Sequence, residues 1–264
     1  MPSSSKIHYL SATLLAFLSL AGQVIAAESA QLADPTPLQD AIETYSDAER
    51  HWAYEQTVTE YNRKGQPRDV LITQVDPSLP WDQRDVLIAT VKGPATEREK
   101  RRYQKDREKD RRKRERGLED RQRLRDRMDF PMSRIVSETT ETRTYAVPLL
   151  PDSKSGFPME KIKMKAWIHP ESGELQGIEA KLQEAVRLKA VAKVKNLHLK
   201  IAFTRPLPEK DAVALTHLRG TAAASVLFFP VGGEVLVERK SHRWVTPYDD
   251  RFNVELGTPT AVGF

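Results

Sequence analysis

The sequence predicts an α+β fold: a strongly curved antiparallel sheet of about nine or ten strands, a half-open barrel, with helices on its concave side and a charged helical arm. Apolar and polar residues alternate with a period of two through much of the chain, which is typical of strands with one buried face. Turn-forming residues separate these segments at short intervals. Helical periodicity is rare, so a sheet with so little helical cover is expected to curve over itself.

Residues 1–27 have the organisation of a cleaved secretory signal. A short start with one lysine precedes a mostly apolar stretch at 7–25, and the small residues Ala26 and Ala27 suit cleavage. We therefore expect a periplasmic protein in which 28–264 form a single β-rich domain. The chain has no cysteine, which excludes a cysteine-linked lipid anchor, disulfides, thiol nucleophiles and thiolate metal ligands.

A helix is predicted soon after the signal. Thr36, Pro37 and Gln39 match an N-cap, a proline at the first helical position and a capping box. One apolar stripe then recurs at helical spacing and consists of Leu38, Ala41, Ile42, Tyr45 and Ala48. Such a helix either covers a packed core or acts as a lid over a cavity.

Strand patterns follow this helix. Alternation over 52–59 predicts a strand with one solvent-exposed face, and a turn is predicted at 62–65. Further strands are predicted at 70–75 and 85–91. The loop at 76–81 contains two prolines and cannot continue either strand.

A charged segment at 96–127 interrupts the strands. Thr96 and Glu99 form a capping box, and 97–127 contain 16 lysines and arginines against nine acidic residues, although the whole chain carries only +5. Because few large apolar residues occur here, we expect a solvated helical arm, interrupted at Gly117. The alternative is an electrostatic contact with an anionic membrane surface or lipopolysaccharide. The candidate contact residues are Arg101, Arg102, Arg111, Arg112, Lys113 and Arg114.

The second half of the chain reads again as strands. The clearest alternation is at 161–168, followed by a turn at 170–173. A second helix is predicted at 183–194, and Gly232 with Gly233 is predicted to form a tight turn. The other strands are predicted at 134–138, 142–149, 174–182, 197–204, 212–219, 222–229 and 234–244.

Large apolar side chains at alternate positions are predicted to line one face of this sheet. They are Trp52, Tyr54, Met164, Leu199 and Phe203. A curved sheet leaves a hollow on that face, which suits a lipid or an acyl chain. The same five residues would equally belong to a fully packed core.

Two groups of features resemble a known family. An exported chain with an amphipathic first helix, an aromatic strand and one curved sheet resembles the periplasmic lipoprotein carriers, the LolA/LolB-like superfamily. The sequence VDPSLPW at 75–81, the strand at 85–91, GPAT at 93–96 and the charged arm look like a group of uncharacterised bacterial exported proteins. This resemblance implies non-covalent handling of a lipid or a lipidated protein. The carriers lack the long basic arm.

Catalytic signatures are missing from the sequence. It has no Gly-x-Ser-x-Gly elbow, P-loop or dinucleotide glycine pattern, and its histidines are scattered without the spacing of a zinc protease. We therefore expect no enzyme, no cofactor and no metal site, although a hydrolase of unrecognised type stays open. The predicted export also argues against a nucleic-acid partner. The function predicted first is binding of a hydrophobic ligand, and the alternative is docking on anionic envelope surfaces through the arm.

Overall fold

The computed structural model describes residues 34–115, 124–151, 157–188, 192–226 and 229–252. The predicted secretory signal and Gly117 lie outside these ranges. Two α-helices occur in the described chain, α1 at Thr36–Ala48 and α2 at Glu97–Glu115. Short 3-10 turns occur at Glu49–His51, Leu124–Arg127, Phe130–Met132, Met159–Lys161 and Asp249–Phe252.

The start of α2 agrees with the sequence prediction, and the start of α1 does not. At α2 the capping box is confirmed, because the Glu99 amide donates to the Thr96 hydroxyl and the Thr96 amide to the Glu99 carboxylate. At α1 the predicted Thr36 cap is wrong. The helix begins one residue earlier, with Pro35 at the cap position, and Asp34 accepts the Thr36 amide at 3.0 Å.

Twelve strands form one sheet, and every pairing between them is antiparallel. Their order is β4-β3-β2-β1-β12-β11-β10-β8-β7-β6-β5, and β9 also pairs with β10. The strands are β1 Trp52–Tyr61, β2 Pro67–Val75, β3 Asp85–Thr90, β4 Gly93–Pro94, β5 Arg134–Glu138, β6 Arg143–Val147, β7 Ile162–Ile168, β8 Leu175–Leu182, β9 Val186–Leu188, β10 Ala192–Thr204, β11 Ala214–Val226 and β12 Phe229–Trp244.

The sheet is open and curved, with β4 and β5 at opposite ends of its order, which confirms an antiparallel curved sheet with few helices. Its curvature and strand number differ from the strongly curved half-open barrel that was expected. The sheet has more strands than the nine or ten expected. The short strands β4 and β9 are too brief to give a periodic signal, and both form through pairing with a longer neighbour.

Two local predictions are wrong. The described part of 183–194 is not helical, because Val186 and Val194 pair across β9 and β10 and are both buried. Pairing with a neighbouring strand overrides the weak helical spacing of this segment. Gly232 and Gly233 form no turn either; they lie within β12 and pair with Ala223 and Ala222 of β11.

The buried apolar side chains form two clusters. The larger, which we call the main core, joins α1 with β6, β7, β8, β10 and β11. The smaller, which we call the aromatic cluster, contains Trp52 with Ala48, Ala212 and Ala214, and Tyr54, Leu207 and Trp244 pack against it. α1 therefore lies over the main core, on the face predicted to be concave.

Candidate functional site

The five predicted ligand residues are divided between the two clusters. Met164, Leu199 and Phe203 belong to the main core, whereas Trp52 belongs to the aromatic cluster and Tyr54 packs against it. Alternation along each strand placed all five on one face. It could not show which of them contact one another, because that depends on the strand order.

The main core is filled beneath α1. Met164 is 2% exposed and Phe203 is 6% exposed. The Tyr45 ring of α1 packs edge-on against Phe203, with 4.6 Å between ring centroids. Burial raises the pKa of the Tyr45 hydroxyl well above its usual range. In this arrangement α1 covers the apolar face predicted to bind a ligand.

The aromatic cluster is also filled. The Trp52 indole donates to the Val213 carbonyl at 3.2 Å and meets the Trp244 ring edge-on at 5.0 Å between centroids. The Arg239 guanidinium lies 4.3 Å from the Tyr54 ring centroid. Partial burial lowers the pKa of His242, which lies 5.9 Å from the Trp52 ring centroid. These contacts make the cluster a packed junction between β1, β12 and the chain before β11.

A cleft of about 430 Å³ lies beside α1. Its wall is made of one side of α1 at Asp40, Ala41 and Thr44, the turn at 170–173 and the segment at 211–213. None of the five predicted ligand residues lines it, although Ala41 and Leu175 belong to both the cleft and the buried core. The cleft therefore borders the N-terminal part of the covering helix.

The described ranges contain no cluster of side chains suited to holding a metal ion. No group of three or more histidine, aspartate or glutamate side chains there could hold a metal ion. The histidines are held by separate partners: His198 by Glu179 at 2.7 Å, and His51 by the Val245 carbonyl at 3.2 Å.

The basic arm does not stand free in solvent. Asp85 of β3 anchors α2 through three contacts: its carboxylate accepts the Tyr103 hydroxyl at 2.7 Å and pairs with Arg107 at 2.7 Å, and its carbonyl accepts the Gln104 amide at 2.7 Å. Arg107 also lies over the Trp81 ring. The expectation of a solvated arm is wrong for this part of the helix, because its polar side chains bond to the sheet edge.

The arginines predicted to contact an anionic surface are mostly engaged within α2. Arg111 and Arg112 both bond to Glu108, whose pKa they lower to about 2, and Lys113 lies 3.5 Å from Asp110. Arg101 and Arg102 are exposed. The side chain of Arg114 lies outside the described residues. Acidic neighbours therefore engage three of the cations predicted to contact an anionic surface, Arg111, Arg112 and Lys113.

Sequence reasoning missed Asp85 as the anchor of α2. Replacing Asp85 with alanine is expected to lower the free energy of unfolding by about 1–3 kcal/mol, since Tyr103 and Arg107 both lose a partner. Chemical denaturation measures this loss, and hydrogen exchange should show weaker protection of α2. Asp82→Ala is the control, because Asp82 is exposed and its loss should change stability by about 0.5 kcal/mol or less. Equal effects of the two changes would show that Asp85 does not anchor the helix.

No family model and no curated protein matches this chain. Among solved structures, the chain is similar to a DUF1329 family protein from Desulfovibrio piger. The sequence identity is 12%, the TM-score is 0.33, and the match covers 85% of this chain and 96% of that chain. A score this low supports no argument about function, which therefore rests on the contacts above. Within the described ranges, neither helix has the length and apolarity needed to cross a membrane.

Proposed function

We propose that this protein binds an acyl chain of a lipid or lipidated protein between α1 and the sheet, without covalent chemistry. One observation carries the proposal: within the described ranges α1 is the helix that covers the main core, which contains Met164, Leu199 and Phe203. Displacing α1 would expose one continuous apolar surface. The sequence resemblance to the lipoprotein carriers supports the same class of ligand.

The two ends of α1 are held differently. Just beyond its C-terminal end, Arg50 pairs with Asp250, the His51 carbonyl accepts the Val245 amide at 2.8 Å, and Glu49 lies 3.7 Å from Arg239. The N-terminal end borders the cleft, and, within the described ranges, the one side-chain bond to the backbone of its first turn runs from the Thr36 amide to Asp34, the first described residue. The helix should therefore open from its N-terminal end and pivot near His51.

Replacing the contacts of α1 with those of a bound acyl chain is energetically favourable when the chain is long. The deeply buried side chains of α1, Leu38 and Ile42, contribute about 1.5–3 kcal/mol each, and Tyr45 adds a similar amount. An acyl chain contributes about 0.8 kcal/mol per buried methylene, or about 11 kcal/mol for 14 of them. A bound chain can therefore offset the loss of the helix contacts.

The main core contains residues that adapt to different shapes. Three of the five methionines, Met128, Met159 and Met164, are buried in it. Methionine side chains are flexible and polarisable, so they can repack around a ligand at small cost. A core built for rigidity alone would favour branched aliphatic residues.

Lipid extraction of the purified full chain followed by mass spectrometry is the direct test. We expect a co-purifying fatty acid or phospholipid, and we expect a fluorescent fatty acid to bind the delipidated protein. Met164→Ala enlarges the proposed hollow and should cost about 2–5 kcal/mol in the free protein. Added palmitate should recover much of that loss by filling the space, which thermal unfolding would show.

Leu87→Ala is the matched control, because Leu87 is buried in β3, outside the main core. Its loss of stability should not respond to palmitate. The proposal is overturned if no acyl compound co-purifies and the fluorescent fatty acid fails to bind. It is also overturned if palmitate stabilises both variants equally.

The proposal includes export to the periplasm through the signal at 1–27, since lipoprotein handling belongs there. The alternative, docking on an anionic surface through α2, has weaker support. Arg111, Arg112 and Lys113 are already paired with acids of the same helix, and Arg107 with Asp85.

A further inference from the structure

We propose that the protein docks on anionic phospholipid bilayers through the outer face of β7–β10, the side of the sheet opposite the main core. This surface was not among the sites predicted from sequence. We call it the lysine face. Its cations are Lys163, Lys165, Lys181, Arg187, Lys193, Lys195 and Lys200.

Alternation with buried residues places these cations on the outer face. Met164 and Leu182 are buried while Lys163 and Lys181 are exposed, and Val194 is buried while Lys193 and Lys195 are exposed. Strand pairing then brings together cations that are distant in the sequence. The resulting surface extends over four strands and is broad rather than concave.

The lysine face has an excess of cations over acids among the described residues. None of its seven cations forms an ion pair there, in contrast to the paired arginines of α2. The acid within these strands, Glu179, lies opposite Lys165 and Lys200 in register and bonds to His198 at 2.7 Å. Just beyond the strand ends, Lys161 pairs with Glu184 at 2.8 Å. On β11, at the edge of the lysine face, Arg219 pairs with Glu234 at 2.9 Å. The group of cations without ion pairs therefore stops at this strand.

Two pairs of like charges lie directly opposite each other in this face. Lys163 pairs in register with Lys181, and Arg187 with Lys193. Directly opposed like charges destabilise a sheet, so the fold carries a local cost here. An anionic partner would remove that repulsion. Sites that break a local rule of stability are often functional.

The chemistry of this face favours a bilayer over other anionic partners. Six of the seven cations are lysine, which acts as a compact point charge and suits a diffuse anionic surface, whereas bidentate phosphate recognition favours arginine. Trp167 lies on the same face with its indole over Gly177, where a Cβ atom would come within 2.4 Å of the ring. Tryptophan is typical of membrane interfaces. A single-stranded nucleic acid would need several stacking aromatics instead.

Vesicle flotation with the full chain tests this proposal. The wild type should bind vesicles of phosphatidylglycerol and phosphatidylcholine at low salt but not vesicles of phosphatidylcholine alone. Binding should weaken steeply as salt rises, because the Debye length falls from ~10 Å at 0.1 M to ~3 Å at 1 M. The combined variant Lys163→Gln, Lys181→Gln, Lys193→Gln and Lys200→Gln should lose affinity by about 10- to 100-fold.

A second variant removes the same charge from α2: Arg101→Gln, Arg102→Gln, Arg112→Gln and Lys113→Gln. This second variant should keep most of the affinity for anionic vesicles. Both variants should unfold at about the wild-type melting temperature, since all eight substituted side chains are exposed. Equal losses in the two variants, or no binding of the wild type to anionic vesicles, would overturn the proposal. Tighter binding to single-stranded DNA than to vesicles would also overturn it. Each result is independent of acyl-chain binding in the main core.

Discussion

Replacing Phe203 with alanine is expected to lower the free energy of unfolding by about 3–5 kcal/mol. Phe203 is 6% exposed, and the Tyr45 ring lies against it at 4.6 Å between centroids. The substitution removes the transfer energy of the ring and leaves a cavity that α1 and β10 fill only in part. Urea denaturation of the delipidated protein measures the change.

Phe252→Ala is the matched control for Phe203. The same atoms are deleted, but Phe252 is 64% exposed and contacts mainly the ring of Tyr248. Its loss should change stability by about 0.5 kcal/mol or less. A similarly small cost at Phe203 would mean that the site beneath α1 is already an open hollow in the free protein, contrary to the packing described above.

Replacing Gly232 with alanine is expected to cost about 3 kcal/mol or more. Gly232 has a φ of +138°, and a Cβ atom there would lie 2.2 Å from the Ala222 carbonyl oxygen and 2.9 Å from the Ala223 Cα. Both atoms belong to the backbone of β11, so the clash can be relieved only by separating the two strands. Thermal unfolding with circular dichroism would report the loss.

Gly65→Ala is the control that separates backbone strain from the steric clash. Gly65 also has a positive φ, +72°, but nothing lies within 4 Å of a Cβ atom placed there. Alanine at position 65 should cost only the conformational strain, about 1–2 kcal/mol. If both substitutions lower the stability by the same amount, then the close approach of β11 to β12 does not explain the need for glycine at position 232.

The two proposals assign different tasks to the two faces of the sheet. In the first proposal the main core beneath α1 takes the apolar ligand, and in the second the lysine face on the opposite side approaches the bilayer. Weak, salt-dependent docking suits this division, because a protein that exchanges lipid with a membrane has to leave it again. Charge neutralisation on the outer face does not require α1 to move, so the two steps can be measured separately.

The anion-binding surface predicted from the sequence differs from the one proposed from the structure, because composition gives only part of the information needed. Net charge along the sequence pointed to 97–127, since this segment holds 16 lysines and arginines against nine acidic residues. Composition counts charges but does not show which are already paired. On α2, acids three or four residues away pair with Arg111, Arg112 and Lys113. The strands β7, β8, β9 and β10 instead bring lysines without ion pairs together from segments far apart in sequence.

The sequence by itself determined the features that depend on near neighbours. The stripe of α1, the alternation of β7 and β10, the turn at 62–65 and the capping box of α2 all arise from side chains within a few residues of each other. Their signals are local, and the structure retains them. The alternation predicted for β1 is wrong, because the neighbours Trp52 and Ala53 are both buried.

Only the tertiary structure decided what depends on partners distant in sequence. It turned the described part of 183–194 into strands, fixed α2 to β3 through Asp85, and placed Trp52 and Phe203 in different clusters. In each case the deciding energy comes from pairing or burial against a segment far along the chain. A pattern read within one window contains no information about that segment.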